Sequence, residues 1–292
     1  MSTDASSVKK YFSLVKFSHT VFAMPFALIG FFLAVSEPGY YFNFKSFLLI
    51  ILCMIFARNA AMGFNRVVDR RFDSLNPRTK NREIPSGKIA SGSAAVFVLV
   101  NSLLFIITTA FINRLTLYLA PVALIIVLGY SLTKRFTALC HFVLGLGLSL
   151  APIGAYISIT GVFNTVPIVY SFIVLTWVSG FDIIYALQDD DFDKEHQLHS
   201  LPSLAGRKNA LLISVAVHFI TVLLVVTAGY LGNSGLLFWA GAMVFIGLLV
   251  YQHLIVKPGD LSKVTLAFGT TNGIASILFS VFVILDLYFR FR

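Results

Sequence analysis

Charge is scarce in this sequence. Only 12% of its 292 residues are Asp, Glu, Lys or Arg, about half the share of a soluble domain. Negative charge is the scarcer sign, 13 Asp and Glu against 22 Lys and Arg. Water-filled carboxylate sites of soluble enzymes are therefore the wrong comparison. Cysteine is nearly missing too. Cys53 and Cys140 lie in apolar or membrane-edge sequence, and neither has a partner at metal-ligand spacing, so no disulfide is expected. Strand-like alternation is absent as well. What fills the chain is apolar: 58% hydrophobic residues and a mean hydropathy of +0.86. That is the composition of an all-α polytopic membrane protein. The net charge of +9 would suggest nucleic acid in a soluble protein. Here it is explained by charge sorting across a lipid bilayer, and no nucleic-acid partner is expected.

A spanning helix needs about 20 mostly apolar residues. Candidate spans run over 18–36, 45–64, 93–112, 115–131, 138–160, 165–186, 209–230, 234–255 and 266–288, which makes nine. The start of the chain, with Lys9, Lys10 and Lys16 before an apolar run, resembles a signal peptide. The run is long and SEPGYYFNF is a poor cleavage site, so it reads as a retained first helix. An odd helix count puts the termini on opposite sides. With the N-terminus inside, the inner loops collect Lys9, Lys10, Lys16, the seven bases from Arg66 to Lys88, Lys134, Arg135, Lys194, Arg207, Lys208, Lys257 and Lys263. The outer side keeps Lys45, Arg114, Arg290 and Arg292. The positive-inside rule then places the N-terminus and the two long polar loops in the cytoplasm.

Those loops, 65–92 and 187–208, follow the second and sixth spans. A shift of 120 residues carries Asp69 onto Asp189, Asp73 onto Asp193 and Lys88 onto Lys208. The competing reading is chance alignment of two acidic loops. The expectation is one transmembrane domain over 1–292, built from half-repeats at about 12–131 and 132–255, with the last helix at 266–288.

On a helix, residues four apart share a face. Asn65, Asp69 and Asp73 thus form a polar stripe at the inner end of the second span, with Arg58 deeper on the same face. In FDIIYALQDDDFDKEH, Asp182, Asp189 and Asp193 follow spacings of seven and four, with Tyr185 alongside. Two facing carboxylate stripes repel unless a cation lies between them. Mg²⁺ suits, because it takes one or two carboxylates and completes its shell with water and substrate phosphates. Arg66, Arg70, Arg78, Lys80, Arg82, Lys134 and Arg135 then read as phosphate ligands. The bland alternative is a solvated helix end with i,i+4 pairs and topogenic arginines. Asp182 and Arg58 resist it, since ionisable groups within a span are functional candidates by default. For Arg58 the alternative is snorkelling to the interface. His19, His196, His199, His218 and His253 lack ligand spacing and read as packing or interface residues.

The stretch GFNRVVDRRFDSLNPRTKNREIPSGKI resembles the first aspartate-rich motif of the UbiA superfamily of intramembrane aromatic prenyltransferases. YALQDDDFDKEHQLHSLPSLAG is similar to the second motif, YSLTKRFT to the family's tyrosine-then-Lys-Arg segment, and VKFSHTVFAMPFAL to its N-terminal helix. The resemblance implies two helical halves around a polar cavity. It also implies Mg²⁺-dependent transfer of a prenyl group from a polyprenyl diphosphate to an aromatic acceptor. By position Asn65, Asp69, Asp73, Asp189 and Asp193 hold metal and diphosphate, and Lys134 and Arg135 contact phosphate. Arg58 is the candidate for the acceptor carboxylate, and Asp182 for its hydroxyl or a metal-bound water. Arg66 stands where many members carry an aspartate. The HSLP stretch resembles a 4-hydroxybenzoate-type subgroup, so 4-hydroxybenzoate in ubiquinone synthesis is the first expected acceptor and a dihydroxynaphthoate in menaquinone synthesis the second. The expected location is a bacterial inner membrane. A reading of another class is a cation-coupled transporter, for which Gly145, Gly147, Pro152 and Gly154 supply one candidate interrupted helix.

Overall fold

The computed structural model describes residues 10–11, 13–15 and 22–290. Lys9, Lys16, His19 and Arg292, and the start of the expected first span, lie outside them. Nine apolar helices follow in order: α1 Met24–Val35, α2 Phe44–Val68, α3 Ser91–Ala110, α4 Arg114–Thr133, α5 Cys140–Thr160, α6 Thr165–Ala186, α7 Leu201–Leu231, α8 Leu236–Ile255 and α9 Asn272–Arg290. Among the described residues, eight are long and apolar enough to cross a membrane, α6 and α9 each with the short turns that adjoin it, and α1 is shorter. The only β pairing among these residues is an isolated bridge between Lys257 and Asp260. The expected all-α membrane architecture is therefore observed.

Local chemistry sets the helix ends. Asn43 and Asn113 accept from the backbone N–H of Ser46 and Thr116 and start α2 and α4. A capping box between Ser200 and Ser203 starts α7 at residue 201, eight residues before the apolar run implied. The extra turn is set off from the rest of α7 by Gly206, whose φ of 79° and ψ of 160° interrupt the helical path. A π-helical turn, Leu266–Thr271, precedes α9. Helix α5 runs unbroken from Cys140 to Thr160 through Gly145, Gly147, Pro152 and Gly154. The transporter-like interruption expected there is not present, because Pro152 is accommodated within the helix.

Helix α6 is the most deeply buried, packed between α5 and α7. The largest apolar cluster joins Phe26 of α1, Trp177 of α6, Phe245 of α8 and Phe279 of α9. Trp177 keeps its indole N–H satisfied by Asn272 at 3.0 Å. Helices α2 and α5 touch much less, and α4 bridges them. That gap is where the cavity lies.

Asp286 is a buried carboxylate with a structural role. Its oxygens accept from the backbone N–H of Gly235 at 2.9 Å and Phe238 at 3.3 Å, so α9 caps the first turn of α8. Asp286→Ala leaves both donors without that acceptor, a cost of about 1–3 kcal/mol. Thermal unfolding in detergent should show a lower Tm for Asp286→Ala than for Asp286→Asn; equal Tm values would contradict the assignment.

Candidate active site

A cavity of about 620 Å³ lies between α2, α4, α5 and α6. Its long wall is apolar, with Ile50, Met54, Leu119, Ile126, Leu150 and Ile153. One end is polar and collects Asn65, Arg66, Asp69, Arg78, Arg82, Lys134, Tyr185 and Asp189. Arg58 and Asp182 also face the cavity.

The first acidic stripe bends. Helix α2 ends at Val68, and a separate short helix runs from Arg70 to Leu75. Asn65 stays on α2 and donates to Asp69 Oδ2 at 2.9 Å. Asp69 faces the cavity, and Arg135 reaches its Oδ1 at 3.3 Å. Burial holds the Asp69 carboxyl above the ordinary carboxylate range, against the pull of the Arg135 guanidinium. Asp73 turns inward instead, is only 6% exposed, and accepts from Arg82 at 2.6 Å. Its Oδ2 is buried with no hydrogen-bond partner among the described residues. Straight-helix spacing put 65, 69 and 73 in line; the break at Asp69 takes Asp73 out of it.

The second stripe bends in the same way. After α6 comes a single 3₁₀ turn, Leu187–Asp189, then a short helix, Asp190–Glu195. Asp189 receives Asn76 Nδ2 at 3.0 Å and Arg78 Nε at 2.9 Å on Oδ1, and Arg78 Nη2 on Oδ2. A residue of the first motif loop thus grips an acid of the second with a forked guanidinium. Burial works to lower the Arg78 pKa, but the bonds to Asp189 and Tyr185 outweigh it and hold it above its ordinary value. Asp193 is fully buried, with Lys134 at 2.7 Å and Ser200 Oγ at 2.8 Å. Asp190 is tied by Arg207, and Asp191 is exposed.

The expected bases divide. Arg78, Arg82 and Lys134 line the polar end, and Arg135 reaches it through Asp69. Arg66 is 3% exposed and its Nε has no hydrogen-bond partner among the described residues. Arg58 donates to the Val15 carbonyl at 3.1 Å. Arg70 does not belong with them: it is exposed and donates to Val67 O at 2.9 Å, because the helix break points its stem outward. Lys80 is likewise exposed and off the cavity.

Several residues at or beside the cavity escaped sequence reasoning. Asn76 and His141 partner Asp189 and Asp182 across the fold. Phe268, delivered by the π-helical turn, stacks on Tyr185 at 4.0 Å between ring centroids. For His141 there was a signal: it is the histidine nearest the Lys134–Arg135 pair, and an acid within a span such as Asp182 calls for a partner.

The donors suit a hard divalent cation. They are carboxylate and amide oxygens, and Asp73 keeps one buried oxygen without a hydrogen bond. No group of three or more His, Cys, Asp or Glu converges on one point among the described residues. Each carboxylate instead holds a base. Such a site lacks a closed protein cage and fits a metal that brings phosphate oxygens with it, which is the habit of Mg²⁺.

The fold and sequence have close parallels. A structure of a UbiA homolog from Aeropyrum pernix K1 superposes with a TM-score of 0.83 at 29% identity, over 92% of this chain and 98% of that one. A UbiA homolog from Archaeoglobus fulgidus, bound to GPP and Mg²⁺, shares the fold with a TM-score of 0.76 at 22% identity, over 96% and 99% of the two chains. The 4-hydroxybenzoate octaprenyltransferase of Aliivibrio fischeri strain MJ11 is 30% identical over 235 residues, 80% of each chain. That of Nitrosomonas europaea is 30% identical over 245 residues, 83% of this chain and 82% of the other. The sequence pattern of the UbiA prenyltransferase family matches residues 23–282. With that match over most of its length, this integral multi-pass membrane protein belongs to the UbiA prenyltransferase family.

Proposed function

We infer that the chain transfers a polyprenyl group from a polyprenyl diphosphate to an aromatic acceptor, with 4-hydroxybenzoate the first candidate and a dihydroxynaphthoate the second. One observation carries the reading: acids and bases from two distant loops meet at the polar end of a cavity whose other wall is apolar. A diphosphate fits the first part and an isoprenoid tail the second. The activity that names the Aliivibrio and Nitrosomonas relatives supports the acceptor.

Asn65, Asp69 and Asp73 on one side, with Asp189 and Asp193 on the other, are the residues that would hold Mg²⁺. Bound there, Mg²⁺ neutralises diphosphate and makes it a better leaving group. Arg78, Arg82, Lys134 and Arg135 exchange carboxylate partners for phosphate oxygens and hold the pyrophosphate as the allylic C–O bond breaks. Arg66, which also lines the cavity, adds positive charge there. Arg58 faces the cavity and takes the acceptor carboxylate. The apolar walls keep water from the allyl cation, which would otherwise be captured as an alcohol.

The location that fits this chemistry is a bacterial inner membrane, with the N-terminus and both acidic loops cytoplasmic; the excess of basic residues in the loops at that end supports the orientation. A duplicated ancestry for residues 12–131 and 132–255 is supported by the two short helices, Arg70–Leu75 and Asp190–Glu195, whose bounds differ by the same 120 residues as the acids.

The test is an assay on purified protein in lipid with labelled polyprenyl diphosphate, Mg²⁺ and each acceptor in turn. A lipid-soluble prenylated aromatic product is expected, lost on chelation by EDTA and restored by Mg²⁺. No product from any acceptor, or product unaffected by EDTA, would contradict the reading.

A further inference from the structure

Asp182 and His141 face the cavity, and the diphosphate-binding arrangement uses neither. Asp182 is on α6, four residues and about 6 Å before that helix ends at Ala186, and Asp189 is on the 3₁₀ turn beyond it. A diphosphate at Asp189 would therefore leave Asp182 on the side of the prenyl carbon and the ring it attacks. The Asp182 side chain is 20% exposed, toward the cavity, while His141 is 2% exposed. His141 Nδ1 is 2.7 Å from Asp182 Oδ2, and His141 Nε2 is 3.2 Å from the backbone nitrogen of Leu201. A backbone N–H only donates, so Nε2 is the acceptor and the ring proton of a neutral His141 is on Nδ1, donated to Asp182. Leu201 begins α7, so the first turn of that helix sets the tautomer, and the imidazole fixes the carboxylate. Oδ2 is occupied. Oδ1 makes no hydrogen bond among the described residues and is the oxygen left for a ligand.

We propose that Asp182 is the base that removes the ring proton of the acceptor, and that His141 is its positioning residue. The proposal rests on the prenyl-transfer reading above. The allylic C–O bond breaks and its electron pair leaves with pyrophosphate. A π pair of the acceptor ring, ortho to the hydroxyl, forms the new C–C bond. The C–H bond at that carbon then breaks, its pair restores the aromatic ring, and the proton passes to Asp182 Oδ1, to be released to water as products leave. The acceptor class is a phenol with a free ortho C–H. The plain structural alternative is that the pair merely pins α5, α6 and the start of α7 together.

The experiment compares ortho-deuterated with unlabelled 4-hydroxybenzoate in native protein, Asp182→Asn, Asp182→Glu and His141→Gln. Binding of a non-hydrolysable prenyl diphosphate analogue with Mg²⁺ is measured alongside. Native turnover should be the same for both acceptors, because proton loss follows a slower ionisation. Asp182→Asn should lose about 10²–10⁴-fold in kcat, bind the analogue normally, and turn over the deuterated acceptor more slowly. Asp182→Glu should recover part of the rate, and His141→Gln should show a smaller loss with the isotope effect visible. A loss below about 10²-fold in Asp182→Asn, no isotope effect in its residual turnover, or a loss explained by failed diphosphate binding would overturn the proposal. If Asp182→Asn does not fold, the isotope comparison in His141→Gln decides alone, and equal rates there overturn it. Failure of the underlying reading would look different, since native protein would then make no product.

Discussion

Asp189→Ala should reduce prenyl transfer by about 10²–10³-fold or more, on the scale of removing a main electrostatic contact to the developing charge. Asp189 is where the two motif loops are joined: Asn76 and Arg78 both reach it from the first loop. Its loss removes an oxygen that we propose holds Mg²⁺ and frees the Arg78 guanidinium at the polar end of the cavity. Asp69→Ala should give a loss of the same order, since Asp69 faces the cavity and draws Arg135 into the site. Both variants should keep the fold, because neither carboxylate supports the apolar core around Trp177. The measurement is steady-state turnover across Mg²⁺ concentrations. The expected result is a fall in kcat with a rise in the Mg²⁺ needed; near-native turnover in both variants would refute the site.

Gly30→Ala should cost the protein its fold rather than its chemistry. A Cβ at Gly30 would sit 2.0 Å from the Pro152 carbonyl oxygen. That neighbour is α5 backbone and cannot rotate away, so α1 and α5 must separate. Overpacking of this kind costs about 1–3 kcal/mol, and more where backbone is the obstacle. The clash falls where α1 meets the helix that lines the cavity and carries His141. Gly154→Ala is the control. Gly154 is on the same helix α5, and a Cβ there meets nothing within 4 Å, so that change should be neutral or slightly stabilising through lower unfolded-state entropy. Monodisperse protein recovered in detergent and its Tm should drop sharply for Gly30→Ala and hold for Gly154→Ala. Equal recovery of the two would show that α1 and α5 do not approach as described.

Much of the site was legible because charge is so rare here. In a chain this apolar, an acid recurring at helical spacing beside arginines needs a reason, and Asp69, Asp189 and Lys134 were found that way. Spacing alone could not show that both helices stop short of their second acids. Val68 ends α2 and Ala186 ends α6, and the turns that follow send Asp73 and Asp193 inward to Arg82 and Lys134 and Arg70 outward. Such endings depend on what the neighbouring loop offers. Asn76 meets Asp189 across 113 residues of chain, and His141 meets Asp182 across 41. No periodicity reports a partner so distant. Phe268 escaped for another reason: the π-helical turn shifts the register before α9, and an aromatic among 29 Phe carries no signal of its own. The apolar helices fared better, since length and hydropathy are local properties. Helix α7 is the exception, where a polar capping box adds a turn that hydropathy does not register.

The most direct test is a crystal structure of the protein with Mg²⁺ and a prenyl thiolodiphosphate that cannot ionise. One diphosphate should lie between the two loops, its metals touching Asp69 or Asp73 on one side and Asp189 or Asp193 on the other, with Arg78 turned from carboxylate to phosphate. A diphosphate held by a single loop, with Arg78 still forked onto Asp189, would contradict the shared site.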